Sequence, residues 1–314
     1  MDATPDAPPE TSPAASPERS PDDAEALSFP GGSLTLVSTP IGNLGDITER
    51  ALSCLRAADL VLCEDTRVTG RLFFAKSISV PLEALHEHNE RQRTPALLRM
   101  LVAGKRIALV SDAGTPLLSD PGFRLVRDAL EAGLPVTAAP GANAAVTALT
   151  LSGLPPHPFL FHGFSPPRQS ARRDAFGKLR AAEQAGLSAT LIWHEAPHRL
   201  AEMLADLRDV LGGDRPGAVA RELTKRFEEV RRGTLAELAE HYEGTAARGE
   251  ITVLAGPPVA EDPARTAAEL DQRLMEAMRT LSVKDAATLV AGALSLPRKL
   301  VYNRALELGR GPEG

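Results

Sequence analysis

The chain has 314 residues, 43% of them hydrophobic, enough for two domains of ordinary size with real cores. Aromatics make up 4%, with one Trp, so a surface that stacks many bases in a row is not expected. The net charge is −6, but residues 1–30 hold seven acids and one base, so the rest is neutral and bulk charge calls for no polyanionic partner.

Residues 1–31 read as an acidic, Pro-rich disordered tail, with seven prolines and little that could build a core. No basic segment leads into an apolar run, so no secretory signal is expected. The uncharged stretch from Ala132 to Pro167 is broken by Pro135, Pro140, Gly141 and Pro155-Pro156. Its longest piece free of Gly and Pro, residues 142–152, is too short to span a bilayer, so no membrane association is expected. Cys54 and Cys63 sit in apolar runs and read as buried thiols of a cytoplasmic protein.

From Gly32 onward, Val/Leu-rich runs alternate with helical patterns. Strands are expected at 33–38, 59–64, 106–111 and 134–140, and helices at 47–57, 91–103, 122–132 and 142–151. The runs lack polar alternation, as strands covered on both faces do. Strand–helix alternation implies a parallel sheet with right-handed crossovers. After the Pro-rich linker 153–170 the alternation resumes, with strands at 159–164, 189–195, 218–223 and 251–256 and helices at 172–184 and 198–211. Beyond Pro263 only helices are expected: 264–281, 283–294 and 298–308. The fold class is therefore α/β, with domains at 32–155 and 156–260, a ligand cleft, and a small helical unit at 264–310.

In open parallel sheets, ligands bind beyond the carboxyl ends of the strands. The first strand runs into STPIGNLGD (38–46), Gly-rich without matching the dinucleotide fingerprint G-x-G-x-x-G. There Gly42 would let a ligand approach the backbone, and Asp46 with Glu49 reads as a capping box. The run ending at Val110 continues as SDAGTPLLSDPG (111–122). Gly114 and two prolines shape a rigid loop, Asp112 offers a carboxylate to ribose hydroxyls or an amino group, and Asp120 reads as a cap for the next helix. PGANAA (140–145) leaves room for a flat group, with Asn143 a cap, a ligand contact or both. Glu64-Asp65-Thr66-Arg67 is either a surface ion pair or a catalytic cluster.

HEAPH (194–198) matches the zinc-protease pattern H-E-x-x-H, which works only on one helix turn. A strand leads into it and Pro197 separates the histidines, so His194 belongs to a strand, His198 to a helix, and no metal site is expected. His86 and His88 read as solvated loop residues.

Taken in order, STPIGNLGD, CEDTR, LVSDAGTPLLSDPG, PGANAAVTAL, GF-x-P (163–166), E-x-P-H-R (195–199) and RELTK-x-x-EE (221–229) resemble the bacterial small-subunit rRNA cytidine 2′-O-methyltransferases. That family sits in the tetrapyrrole-methylase superfamily of class III methyltransferases, and the likeness runs from about 33 to 308. The resemblance implies two α/β domains with S-adenosylmethionine in the cleft between them, usually a homodimer, and a target cytidine ribose in the 16S rRNA of the 30S subunit. Carried over by motif, the cofactor contacts are Pro40, Ser111, Asp112, Ala113, Gly114, Leu118, Asn143 and Ala144, with Trp193, Ala220 and Leu254 from the second domain. Where relatives often have a tyrosine before E-x-x-H-R, this chain has His194.

The ribose hydroxyl must lose its proton to attack, and a carboxylate or lysine within hydrogen-bond reach can take it. The candidates are Asp65 and Glu64 with Arg67 as their partner, then Glu222 and Lys225. Phosphate contacts must come from local clusters. These are Arg168, Arg172 and Arg173, then Arg226 with its basic neighbours, then Arg298, Lys299 and Arg304 in a helical pair that resembles a helix-turn-helix or a plain hairpin. Two rival functions share most of these features: a corrinoid or porphyrin C-methyltransferase, and a metabolite-sensing nucleic-acid binder without catalysis.

Overall fold

The computed structural model describes residues 30–258, 263–294 and 296–310. The disordered tail expected over 1–31 lies outside them except for Pro30 and Gly31. The chain through Pro257 forms one compact unit and the helices that follow form another.

Strands β1 (Leu34–Val37), β2 (Leu60–Cys63), β3 (Leu82–Ala84), β4 (Ile107–Val110) and β5 (Val136–Ala139) make a first sheet in the order β3-β2-β4-β1-β5. All four pairings are parallel. The side-chain period of two sorts each apolar run onto both faces. Leu34, Leu60, Leu62, Ile107 and Leu109 face one helical layer, which includes Leu97 of α3 (Glu87–Val102) and Leu125 of α4 (Phe123–Glu131). Val37, Val61, Cys63, Ala108 and Val110 face the other, which includes Leu55 of α1 (Glu49–Ala57) and Phe73 of α2 (Thr66–Ala75). Each fully buried Leu or Val contributes about 1.5–3 kcal/mol, so both faces are needed to hold so small a sheet. Cys54 and Cys63 are buried free thiols, and burial pushes Cys54 up to about 11.

Helix α5 (Ala144–Ser152) links the first sheet to the second. Strands β6 (Phe159–Phe164), β7 (Thr190–Glu195), β8 (Pro216–Arg221), β9 (Glu229–Thr234) and β10 (Ile251–Ala255) follow in the order β6-β7-β10-β8-β9. This sheet is mixed, not parallel: only β6 and β7 run together. One face packs Leu191, Trp193, Val219 and Val253 against α6 (Gln169–Gln184), α7 (Leu200–Leu211) and α8 (Leu235–Tyr242). The other packs Ile192, Ala218, Ala220 and Leu254 against Ala145, Ala148 and Leu149 of α5 and Ile41 of the first lobe.

The second unit holds α9 (Pro263–Met278), α10 (Val283–Leu294) and α11 (Arg298–Arg310). Its own small core includes Leu270, Leu274, Val290 and Val301. Among the described residues, no helix is long and apolar enough to cross a membrane.

Candidate active site

The loops that leave β1, β4 and β5 are stitched together through their main chains. Thr39 N donates to Gly114 O at 2.9 Å and Gly114 N to Thr39 O at 3.1 Å. Thr39 Oγ1 and Ser111 Oγ donate to the carbonyls of Ser111 and Gly114 at 3.1 and 2.9 Å. Gly114 has φ +86°, and a Cβ there would lie 3.2 Å from Ile41, so a side chain would be both strained and crowded. Thr115 ties in the third loop: its Oγ1 donates to Ala142 O at 3.2 Å and accepts from Asn143 Nδ2 at 3.3 Å. The motif contained Thr115, but nothing in its residue type set it apart from an ordinary turn.

Between these loops and the second sheet lies a cavity of about 360 Å3, within the size range of small-molecule sites. Asp112, Ala113, Leu118, Asp120 and Ala144 line its first-lobe side. Phe164, His194, Ala220 and Glu250 line the other. Of the expected cofactor contacts, Asp112, Ala113, Leu118, Ala144 and Ala220 therefore meet at one space. Ser111 and Gly114 do not line it but shape the loop through their own hydrogen bond, and Pro40 precedes the lining residue Ile41. Asn143 caps α5, its Oδ1 accepting from Val146 N at 3.0 Å. Trp193 is corrected by strand alternation: it points to the opposite face, stacked on His162 and packed against Phe176. His194, one residue on, faces the cavity instead. Leu254 is on the cavity face of β10 but wholly buried in the core that α5 covers.

The acids form a cluster at the ends of β2 and β4. Asp112 Oδ1 accepts the main-chain amide of Asp65 at 3.1 Å. Burial raises the Asp112 carboxyl above its ordinary value, against the lowering effect of that amide bond and with a smaller push from the Asp65 charge. Burial, then Asp112 and Glu87, does the same to Glu64. Asp120 is pushed up to about 6, by burial first and by Glu64 and Asp112 next. Asp65 goes the other way: hydrogen bonds from the Arg67 guanidinium and amide hold it down to about 2. It is the N-cap of α2, and Arg67 is its clamp.

Asp120 does not cap the helix after it. Helix α4 begins at Phe123 behind Gly122, which has φ +118°. Glu90, from α3, accepts the Leu125 amide at 3.1 Å and takes the capping role. That leaves Asp120 free to face the cavity. Asp46 likewise cedes its expected cap to Thr48, whose hydroxyl accepts from Ala51 N at 3.1 Å.

Glu222 and Lys225 lie in the loop between β8 and β9. Lys225 Nζ sits 2.8 Å from Glu222 and 3.1 Å from Glu250. Burial lowers the ammonium's pKa, but its bonds to those two carboxylates outweigh this and keep it raised. A protonated lysine is no base, and Glu222, whose bond to Lys225 lowers its carboxyl, is a weak one. HEAPH splits as its proline requires, with His194 on β7 and Pro197 opening a short 3-10 turn.

Among the basic residues, Arg168, Arg226, Arg298 and Lys299 are exposed. Arg172 is corrected: it is fully buried, bonded to Asp206 at 2.8 Å, and has no surface to offer a phosphate. Arg173 is exposed too, but its guanidinium is paired with Asp206 and Asp209. Arg304 grips Asp271 with two nitrogens, at 2.7 and 2.6 Å, and so braces its own helical unit.

A family model described as "Tetrapyrrole (Corrin/Porphyrin) Methylases" matches residues 33–239, and one described as "RsmI C-terminal HTH domain" matches 264–309. The ribosomal RNA small subunit methyltransferase I of Mesorhizobium japonicum is 46% identical over 88% of this chain and 92% of its own length. The protein of the same name from Pseudomonas aeruginosa is 45% identical over 88% and 97%. Among solved structures, diphthine synthase superposes with a TM-score of 0.55 at 14% identity, over 71% of this chain and 89% of its own. Uroporphyrin-III-C-methyltransferase from Thermus thermophilus does so with a TM-score of 0.50 at 22% identity, over 72% and 94%. Likeness at that identity speaks for the fold alone. The chain belongs to the tetrapyrrole methylase family of methyltransferases, and within it to the group named ribosomal RNA small subunit methyltransferase I.

Proposed function

We propose that the protein methylates the 2′-hydroxyl of a cytidine ribose in the 16S rRNA of the small ribosomal subunit, using S-adenosylmethionine. The observation that carries this is the extent of the likeness: relatives bearing that rRNA name match 88% of the chain, and the family match at 264–309 extends it to the helical unit.

The cavity fits the cofactor in both space and charge. Ala113, Ala144 and Ala220 leave room for a flat heterocycle. Asp112 keeps one carboxylate oxygen without a partner among the described residues, open to ribose hydroxyls. Three carboxylates near a cationic ligand favour its binding. When bound, S-adenosylmethionine supplies an electrophilic methyl group on a sulfonium. Asp112, Ala113, Leu118, Ala144 and Ala220 would hold it, on loops set by Pro40, Ser111, Gly114 and Asn143.

Asp120 is the preferred base. It faces the cavity, and its carboxyl is raised to about 6, where a base is ionised at pH 7 and still accepts a proton well. Burial, with Glu64 and Asp112 next, keeps Asp120 raised, while Asp65, clamped by Arg67, serves α2. Exposed Arg168, Arg226, Arg298 and Lys299 are the residues for phosphate contact. The active form is a homodimer in the cytoplasm.

The test is transfer of tritiated methyl from S-adenosylmethionine to purified 30S subunits and to naked 16S rRNA, followed by nuclease mapping. Label recovered in a 2′-O-methylcytidine supports the proposal. Label in a tetrapyrrole and none in RNA, or cofactor binding without any product, overturns it.

A further inference from the structure

Phe164 has a backbone device devoted to its placement. On β6, Phe161 pairs with Ile192 and Phe164 with His194, so three steps on one strand match two on the other. The extra residue is a β-bulge, with Gly163 in the left-handed region at φ +67°. In a regular strand residues 161 and 163 would share a face, and 164 would point away. The bulge turns Phe164 back to the side of Phe161, and both rings lie against His194, at centroid distances of 4.9 Å for Phe161 and 5.8 Å for Phe164. Phe164 thus lines the cavity while 57% exposed, an open aromatic face at the cavity mouth.

Gly163 has a second consequence. A Cβ there would lie 3.0 Å from Ser119 Oγ, so the missing side chain lets the loop carrying Asp120 close on β6. An aromatic face and a carboxylate thereby stand on adjoining walls of one cavity. A ribonucleoside presents a matching pair: a π-face on its base and, one sugar away, a hydroxyl that must lose a proton. Unstacked bases of RNA are held by exposed aromatic rings in this way.

We infer that Phe164 is the platform on which the nucleobase of the substrate nucleotide stacks, so that its ribose hydroxyl lies toward Asp120. This rests on the proposed rRNA methylation. Four of the five residues assigned to the cofactor, Asp112, Ala113, Leu118 and Ala144, line the wall across the cavity, and Ala220 lines the wall of Phe164; the exposed ring of Phe164 is assigned to the RNA and not to the donor.

The test uses the full-length chain with Phe164→Ala, Phe164→Tyr and Phe164→Trp. Thermal unfolding checks that each folds, calorimetry reads S-adenosylhomocysteine binding, and filter binding and methyl transfer read 30S subunits. Phe164→Ala is expected to raise the Kd and KM for 30S subunits by about ten- to a hundredfold, the cost of one lost stacking contact. Its S-adenosylhomocysteine affinity should stay within about twofold, and Tyr and Trp should restore 30S binding. Unchanged 30S binding in Phe164→Ala, a parallel loss of S-adenosylhomocysteine affinity, or failure of both Tyr and Trp would overturn the inference. Wild-type protein that labels no RNA would overturn the parent proposal instead, before any variant is compared.

Discussion

Gly42, on the loop after β1, packs against Lys225 of the loop between β8 and β9: a Cβ on Gly42 would lie 2.4 Å from Lys225 Cγ and 2.8 Å from Cε. Beside it, Asn43 N donates to Thr224 Oγ1 at 3.1 Å. The two lobes meet here by close approach of backbone to side chain. Lys225 cannot easily give way, because Glu222 and Glu250 hold its ammonium. Gly42→Ala should therefore destabilise the protein by about 1–3 kcal/mol, the usual cost of overpacking. A urea midpoint measures it. In a Lys225→Ala background the penalty should shrink, since the nearer clash partner is gone and only Thr224 Oγ1, 3.0 Å away, still crowds the Cβ.

Asp120 gives a prediction with two signs. As the base it must be ionised, so methyl transfer should fall as pH drops below about 6. Asp120→Asn should abolish that limb and lower kcat by about 10²–10⁴-fold, with affinity for S-adenosylhomocysteine, which lacks the sulfonium charge, near wild type. Asp65→Asn keeps a good cap on α2 and should leave turnover close to normal. For stability the effect of Asp120 reverses. Its carboxyl is raised on folding, so its charge disfavours the folded state at pH 8, and Asp120→Asn should raise Tm there. The gain should disappear below the ordinary value of 3.8, where the group is protonated folded or unfolded.

Arg172 separates core from RNA contact. Arg172 and Asp206 are 0% and 1% exposed, and Glu202 lies 3.4 Å from the same guanidinium. Arg172→Met takes from Asp206 its buried partner while leaving it Arg173 and Gln169, and should cost about 1–3 kcal/mol in chemical denaturation. The KM for 30S subunits, measured well below the unfolding transition, should not move.

In the helical unit, Arg298 and Lys299 are exposed while Arg304 is engaged with Asp271 and Glu307. Replacing Arg298 and Lys299 together by Ala should reduce the slope of log affinity against log salt by about 2 for 30S binding. Arg304→Ala should leave the slope alone and lower the melting temperature of the helical unit.

Much was legible from the chain alone. Eight of the strands follow from runs rich in apolar residues: β2 and β4 are buried at every position, while β5 and β6 keep the apolar run with only part of it covered. Prolines and glycines at the strand ends marked the loops, since those residues constrain backbone without reference to neighbours. The split of HEAPH followed from Pro197 by the same local rule. Strand β9 was missed because Glu229–Thr234 is a charged edge strand, paired on one side only and half-buried at most. Helix α2 was missed because TRVTGRLFFA mixes β-branched residues and Gly, and its first turn depends on Asp65.

What only the tertiary structure decided is which way a side chain looks and what it meets there. Trp193 and His194 are neighbours in the chain and opposites in space, and β7 alone does not say which face carries the cavity. Asp120 passed for a helix cap until Glu90, 30 residues earlier, proved to hold that amide. Arg172 had the composition of a phosphate contact and the surroundings of a core. Sequence records which groups are charged, apolar or stiff. Burial and partnership, which set whether a charge titrates, binds or merely braces, arise from residues far apart in the chain and exist only once it has folded.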